Sequence, residues 1–501
     1  MFEDKPRSRR SVALFLALGS YLNFALTFIQ GLFLVPLYLH FLGDRIYGLW
    51  LASGGILAWL SVMDLGLSSM MTQSLAKCFA LQDFKQSGRV FYSGIVMFSI
   101  LSLIILLCTL PLAFWLPGIL KTLSSESFVI QGCFILSGLV LAINNLNDCL
   151  RGGMQAMLQP VPSMVILLIS RIVGIVVSII CLLQGKGLWA IPGGNLVASG
   201  TALLFNLGYI KFLTRKWQLE MTGESSIYRK FLRIGGVSVF SRLGQAIVRD
   251  VEPLLITITI NPETATCYSL SKKIAEMAST LSHVLDGAVF PVLAHYIGHK
   301  GHSKCTEMTG NIFHAFFTVS LIGFSVFVVL NRGFLELWVG KQYQLSQWAV
   351  TILGMAYGTG LIKHQLTRIL AAAGDFLVPS LVVFVDSLLI VVLMILLSNK
   401  FGLIGIPAAI MVCSLLSGSY LVRRAIGTKV MAIGQNFNTG YLIDFIICFV
   451  CAHLLSEYNI GKTWSNMALG AAMTLSFFGL ILNKRLARVY EFIGNKRNSQ
   501  S

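Results

Sequence analysis

Long apolar runs, separated by short polar segments, make up most of the chain. We count fourteen of them, and each has about 18 residues or more, the length that an α-helix needs to cross the hydrocarbon core of a bilayer. Lipid cannot satisfy a free backbone N–H or C=O, and the runs lack the alternation of barrel strands, so the pattern predicts membrane-spanning α-helices. The runs cover residues 11–40, 46–76, 88–116, 126–148, 161–184, 187–213, 231–260, 263–297, 308–331, 346–370, 376–398, 402–425, 440–457 and 464–483.

The composition supports an integral membrane protein. Apolar residues form 55% of the chain and charged residues only 12%, whereas soluble domains are about a quarter charged. The basic stretch "KPRSRR" precedes a first run that is too long for a typical signal peptide, so we interpret that run as the first span.

The net charge of +17 suggests nucleic-acid binding, but the positions of the charges argue against it. If the N-terminus is cytoplasmic and the spans alternate, 24 of the 38 basic residues fall on the cytoplasmic side and seven on the opposite side. The positive-inside rule predicts such a bias. We therefore expect both termini in the cytoplasm, and membrane lipids as partners in place of nucleic acid.

Two short sequence motifs each occur twice, almost half the chain apart. "GLWAIP" (187–192) recurs as "GLIGIP" (402–407), and "VPSMVILLIS" (161–170) recurs as "VPSLVVFVDS" (378–387). The repetition predicts two copies of a six-helix unit, parallel because the number of spans in each is even, with a cavity between them that opens to either side in turn. The predicted domains are an N-terminal bundle (1–213), a cytoplasmic linker (214–230), a C-terminal bundle (231–425), and two additional helices with a basic cytoplasmic tail (426–501).

Polar stripes on runs seven and eight are the first candidates for lining that cavity. In "SRLGQAIVRDVE" the spacing i, i+3, i+7, i+10 places four side chains on one helical face, and a second face follows in "SKKIAEMASTLSHVLD". Intramembrane charge is costly, about 2.5–3.5 kcal/mol per residue, and normally faces a cavity or another charge. The stripes consist of Arg242, Gln245, Arg249 and Glu252, and of Lys272, Glu276, Ser279, His283 and Asp286.

Other polar residues within the spans extend the candidate set. Asn23 and Gln30 lie seven apart in run one, Arg171 lies in run five and Asp386 in run eleven. The alternative interpretation is that such residues only connect helices to one another, as Lys272 and Glu276 would by pairing within their own helix.

A cavity with these groups favours an anionic substrate, above all a phosphate, which Arg binds in bidentate geometry. Carboxylates and a histidine could change protonation state during a cycle, so coupling to a cation is an open alternative. The sequence has no Walker lysine motif, no zincin helix and no nucleophile–base pairing, so we expect no enzyme, no cofactor and no metal site.

Three stretches resemble a known family. "PLYLHFLGDRIYGLWLASGGILAWLSVMDLGL" (36–67) is similar to the first two spans of bacterial polysaccharide exporters, the O-antigen flippases. "YSLSKKIAEM" (268–277) and "VFP" (289–291) resemble the corresponding part of their second half. These flippases belong to the multidrug–oligosaccharidyl-lipid–polysaccharide exporter superfamily, together with multidrug–cation antiporters and the lipid II flippase.

The resemblance covers runs one to twelve and implies two six-helix bundles in a V shape around a cationic central cavity. With the two additional C-terminal runs, the predicted fold is an all-α integral membrane protein of about 14 transmembrane helices. It implies translocation of an undecaprenyl-diphosphate-linked oligosaccharide across the bacterial inner membrane, with a polysaccharide polymerase and chain-length machinery as protein partners. On that view, contacts to diphosphate or acidic sugars come from Arg242, Arg249, Lys272 and Lys273. Coupling groups come from Glu252, Glu276, His283, Asp286 and Asp386, and Asn23, Gln30, Arg171 and Gln245 complete the cavity candidates.

Four alternatives remain. A lipid II flippase stays open, because that branch also has two extra helices. A drug or cation antiporter usually has a carboxylate-rich cavity, whereas basic groups match or outnumber acids in runs seven and eight here. A membrane glycan polymerase or ligase carries a large extracytoplasmic loop, which this chain lacks. A non-transporting scaffold would need neither repeats nor intramembrane charge.

Overall fold

The structure of the chain is a computed structural model that describes residues 9–61, 67–225, 227–228, 244, 250–276, 278–279, 293, 297, 302–431, 437–458 and 463–482. Over these residues the regular elements are helices and none is a strand. Among the described residues, fourteen α-helices of ten or more residues follow in order: α1 (Arg9–Ser61), α2 (Leu67–Ala80), α3 (Phe84–Leu120), α4 (Ser124–Ala156), α5 (Pro160–Leu183), α6 (Ala190–Lys216), α7 (250–259), α8 (Pro262–Ser271), α9 (His302–Trp338), α10 (Gln347–Ala372), α11 (Leu377–Phe401), α12 (Gly405–Gly427), α13 (Phe437–Leu455) and α14 (Trp464–Ile481).

The described helices overlap the predicted apolar runs, although much of runs seven and eight lies outside the described residues. Within the described residues, eight stretches are long and apolar enough to cross a membrane, and two of them, Tyr21–Ser61 and Leu377–Gly427, each overlap two predicted runs. Runs one and two share α1, which is interrupted at Gly43, where φ is 76°. Such a φ is accessible to glycine at little cost. The prediction of an all-α, multi-pass membrane protein is confirmed.

The repeated motifs of the sequence adopt the same local structure. Gly187–Trp189 and Gly402–Ile404 each form one turn of 3₁₀-helix that leads directly into a long helix, α6 in the first case and α12 in the second. The first glycine of each turn has a φ of 58°. The two halves of the sequence therefore share this 3₁₀ turn before a long helix.

By packing, the chain divides into two compact units, unit 1 (Met1–Ile258) and unit 2 (Thr259–Ser501). Unit 1 thus includes most of the described part of α7, in which the backbone carbonyl of Asp250 packs against Gly55 of α1. Near the other end of α7, Lys121 Nζ donates a hydrogen bond to the carbonyl oxygen of Ile258 at 3.2 Å. A division by packing does not test where a sequence repeat begins, so the predicted domain boundaries stay a prediction.

Polar side chains connect the helices inside unit 1. Asn145 Nδ2 on α4 donates to Ser102 Oγ on α3 at 3.1 Å, and Asn147 Nδ2 donates to the carbonyl of Ser199 on α6 at 3.0 Å. Asn206 Nδ2 on α6 donates to Asn147 Oδ1 at 2.9 Å. Hydrogen bonds between small polar residues are a usual means of associating helices in lipid, where the hydrophobic effect adds little.

The described part of the predicted linker is packed against α2 and α3. Trp217 has ring contacts with Phe79 at 5.3 Å and with Phe84 at 5.2 Å. Leu219 and Ile227 are buried in the apolar core of unit 1. We call residues 217–225 and 227–228 the docked segment, because they are a packed part of unit 1.

Charges attach the docked segment to the first turns of α3. Arg89 Nη2 donates to Glu220 Oε1 at 3.0 Å, and Lys85 Nζ lies 3.3 Å from Glu220 Oε2. Arg89 Nη1 also lies 3.9 Å from Glu224 Oε2. Gly88, between the two cations, touches the Glu220 backbone so closely that a Cβ atom there would overlap it. The backbone therefore approaches α3 at a point where only glycine fits.

In unit 2, α13 and α14 pack on the preceding helices. The rings of Tyr441 (α13) and His314 (α9) are stacked at 5.3 Å, and His453 Nδ1 (α13) lies 2.9 Å from Thr351 Oγ1 (α10). Trp464 of α14 contacts the ring of Phe334 (α9) at 6.1 Å. The two additional helices are thus integral to the packing of unit 2.

Candidate functional site

The stripes predicted on runs seven and eight are described only in part. Arg242, Gln245, Arg249, His283 and Asp286 lie outside the described residues, so their predicted roles stay predictions. Glu252 lies on α7 and is buried.

The described part of the second stripe is a local ion cluster. Lys272 Nζ lies 3.1 Å from Glu276 Oε1, and Lys273 Nζ lies 3.2 Å from Glu276 Oε2. The Lys272 Nζ atom also lies 5.9 Å from the centre of the Tyr268 ring. Lys272 and Glu276 are four residues apart in the chain, so their contact is local, as in the alternative interpretation of the stripe.

Three candidates from unit 1, which the sequence places on two separate spans, come together around one guanidinium. Arg171 lies midway along the 24-residue helix α5. Its Nε donates to Gln30 Oε1 at 3.0 Å, and its Nη1 donates to Asn23 Oδ1 at 2.7 Å. Asn23 and Gln30 lie seven residues apart on α1, which is two helical turns, so their amides face the same side of that helix.

The charge of Arg171 is not neutralised by these contacts. Both acceptors are neutral amides, and among the described residues no carboxylate forms an ion pair with Arg171. Its Nη2 has no hydrogen-bond acceptor within the described part of the chain. A guanidinium at the centre of a span is costly in lipid, so it requires a polar environment or an anion. This cluster of Arg171, Asn23 and Gln30 is the candidate site; we call it the amide–arginine site.

Unit 2 contains a cation within a span that, unlike Arg171, is paired with a carboxylate. Lys363 Nζ on α10 donates to Asp386 Oδ2 on α11 at 2.5 Å, and the two side chains are 16% and 5% exposed. Asp386 was predicted as a coupling group; its partner Lys363 was not among the predicted site residues. A lysine inside the apolar run 346–370 was the signal that could have identified it.

No set of three or more His, Cys, Asp or Glu residues within the described ranges is arranged to bind a metal ion. The amide–arginine site offers donors and a positive charge, which suit an anion and not a metal.

Comparisons with known proteins identify the family and the fold of the chain. The sequence pattern of a family described as "Polysaccharide biosynthesis protein" matches residues 55–348, more than half of the chain. The chain belongs to this family. The family match extends from the second half of α1 into α10 and includes Arg171 of α5. No curated protein matches the chain by sequence.

Solved structures share the fold at low sequence identity. An inward-facing multidrug resistance transporter of the MATE family, in the MOP superfamily, superposes with a TM-score of 0.68 at 14% identity, over 81% of this chain and 96% of that one. The lipid II flippase MurJ in an inward closed conformation superposes with a TM-score of 0.65 at 13% identity, over 95% of this chain and 100% of that one. A MOP superfamily transporter from Pyrococcus furiosus reaches 0.56 at 14% identity, over 83% and 95%. The fold is that of the MOP superfamily transporters.

Proposed function

We propose that this protein is a flippase, and not an enzyme, that moves an undecaprenyl-diphosphate-linked oligosaccharide across the bacterial inner membrane by alternating access. Membership of the polysaccharide biosynthesis family supports a glycan substrate, and the MOP fold supports transport. The O-antigen repeat unit, or the repeat unit of another surface polysaccharide, is the proposed cargo. Both termini lie in the cytoplasm, and a polymerase and chain-length machinery use the product.

The observation that carries the proposal is the unneutralised guanidinium of Arg171 at mid-membrane. A lipid-linked glycan passes the membrane with a diphosphate, the one part of its lipid that always carries negative charge. A fixed cation lowers the cost of bringing that group into a medium of low dielectric constant. A cavity for cationic drugs would need carboxylates in that place instead.

Lipid II transport is the second candidate, on one specific observation. MurJ matches over its full length and over 95% of this chain, so the likeness extends over both halves and into the last two helices. Lipid II also carries a diphosphate on the same polyprenol, so the amide–arginine site does not separate the two cargoes.

Proteoliposomes that contain the purified full chain test the proposal. The expected result is transfer of undecaprenyl-diphosphate-linked oligosaccharide from one leaflet to the other, lost in Arg171→Ala and retained in Arg151→Ala, whose guanidinium pairs with Asp148 near the end of α4. The variants Arg242→Ala and Arg249→Ala test the predicted stripe of run seven in the same assay.

Two outcomes would contradict the proposal. Transfer of lipid II alone would assign the chain to the second candidate. Gradient-driven movement of small cations without transfer of any lipid-linked glycan would assign it to the antiporters. Runs with and without a proton or sodium gradient determine whether transport is coupled.

A further inference from the structure

The two amides of the amide–arginine site constrain how Arg171 can bind an anion. A guanidinium has one N–H on Nε and two on each Nη, all in one plane. Gln30 accepts from Nε and Asn23 accepts from Nη1, so one acceptor lies on each side of the group. The nitrogen that remains, Nη2, carries two N–H donors without an acceptor among the described residues.

The choice of amides over carboxylates has an electrostatic consequence. A carboxylate in the place of either amide would make the same hydrogen bond and more strongly, but it would cancel the positive charge. An amide fixes the orientation of the guanidinium and leaves that charge in place. Unit 2 shows the contrast, because Asp386 there neutralises Lys363 directly.

The full charge of Arg171 argues against a role limited to α1–α5 packing. Connecting two helices requires only one hydrogen bond between small polar side chains. It does not require a full charge at mid-membrane, which is costly in lipid unless it has a partner.

We propose that Asn23 and Gln30 are positioning residues that orient Arg171 without neutralising it, so that Nη2 donates to a phosphoryl oxygen of the substrate's diphosphate. This inference rests on the proposed function for the identity of the lipid, but the binding of a phosphoryl group can be measured without transport.

Farnesyl diphosphate is the probe, because it has the same head group as the substrate, no sugar and a short, soluble chain. Its affinity for the full chain in nanodiscs is compared with the affinities of farnesyl phosphate and farnesol. The expected result is that Arg171→Ala weakens diphosphate binding by about 10- to 100-fold, the range of a charge-assisted hydrogen bond, and leaves farnesol binding unchanged.

The isosteric variants Asn23→Asp and Gln30→Glu test the role of the amides. Each retains an acceptor oxygen and adds one negative charge, so each is expected to weaken diphosphate binding nearly as much as Arg171→Ala. The control is Thr27→Ala, on the same helix between the two amides, whose hydroxyl donates to the carbonyl oxygen of Asn23. It is expected to bind like the wild type.

A combined variant separates positioning from packing. In an Arg171→Ala background, Asn23→Asp and Gln30→Glu are expected to cause no further loss of diphosphate binding, since their effect passes through the guanidinium. A further loss there, or wild-type affinity in Asn23→Asp and Gln30→Glu, would overturn the positioning role.

Wild-type affinity in Arg171→Ala, or no binding of farnesyl diphosphate to the wild type, would overturn the site itself. If binding follows the expected pattern while no lipid-linked glycan is transferred, the site stands and the proposed function falls.

Discussion

Lys363 Nζ donates to Asp386 Oδ2 at 2.5 Å across the α10–α11 contact, with both side chains largely buried. A buried ion pair contributes little net stability, because its attraction only offsets the desolvation of the two charges. Removing one partner is different, since the other charge is then buried alone.

The first prediction concerns this pair. Asp386→Ala and Lys363→Ala are each expected to destabilise the protein by about 3–5 kcal/mol, whereas the double variant Lys363→Met with Asp386→Leu is expected to remain near wild type. Thermal unfolding of the detergent-purified variants measures the effect. If each single variant unfolds at the wild-type temperature, the two charges have other partners and the pair is not a unit.

A second prediction concerns Glu126, at the start of α4. Its Oε2 accepts from the backbone N–H of Leu123 at 3.0 Å, and its Oε1 accepts from Arg45 Nε, just after the Gly43 interruption of α1, at 2.9 Å. Glu126→Ala removes both contacts and is expected to cost about 1–3 kcal/mol.

The matched variant Glu126→Gln retains an acceptor for the Leu123 N–H and loses the negative charge. It is expected to cost less than Glu126→Ala, as measured by the midpoint of thermal unfolding. Equal losses in the two variants would show that the ion pair with Arg45, and not the helix cap, carries the effect.

The sequence predicts the helices and the repeat because both depend on local patterns. An apolar run of this length predicts a membrane-spanning helix. The glycine at the start of each "GLxxIP" motif can adopt a positive φ. The amide–arginine site required contacts between α1 and α5. Spacing placed Asn23 and Gln30 on one face, but no local pattern states which helix that face contacts.

Two features show where the sequence pattern is insufficient. Lys363 is a single charge in an apolar run. The sequence pattern favours the denser polar stripes of runs seven and eight as candidates and does not indicate that Lys363 pairs with Asp386. The segment 214–230 has a polar composition typical of a linker. Its apolar side chains Trp217, Leu219, Met221 and Ile227 pack against the core of unit 1, but they are too few to change its polar average composition.

A third prediction concerns the two repeated glycines. Gly187 and Gly402 both have a φ of 58°, and Gly402 combines it with a ψ of −138°; a side chain in such a conformation costs about 1–3 kcal/mol. Gly187→Ala and Gly402→Ala are expected to destabilise the protein by that amount each. The control is Gly200→Ala in α6, a helical position with open space around it, which is expected to be neutral or to stabilise by up to about 1 kcal/mol. Equal thermal shifts at all three positions would contradict the conformational argument.

The last prediction concerns the pH dependence of the docked segment. The hydrogen bond from Arg89, assisted by Lys85, holds the pKa of Glu220 below its ordinary value. A carboxylate with a lowered pKa stabilises the docked state at every pH above its ordinary pKa, and this contribution is lost as the pH falls through the lowered value. Arg89 and Lys85 stay charged throughout, so docking is expected to weaken only below about pH 4.

A nitroxide attached at Ser225, an exposed position of the docked segment, reports its mobility by electron paramagnetic resonance in a background from which the other cysteines are removed. Mobility is expected to be low and constant from neutral pH down to the ordinary range of a glutamate and to rise below it. Glu220→Gln, which has no charge to lose, is expected to be more mobile at neutral pH and to depend less on acid. If the wild type and Glu220→Gln give the same mobility at every pH, the ion pairs with α3 do not contribute to docking, and the apolar contacts of Trp217, Leu219 and Ile227 account for it alone.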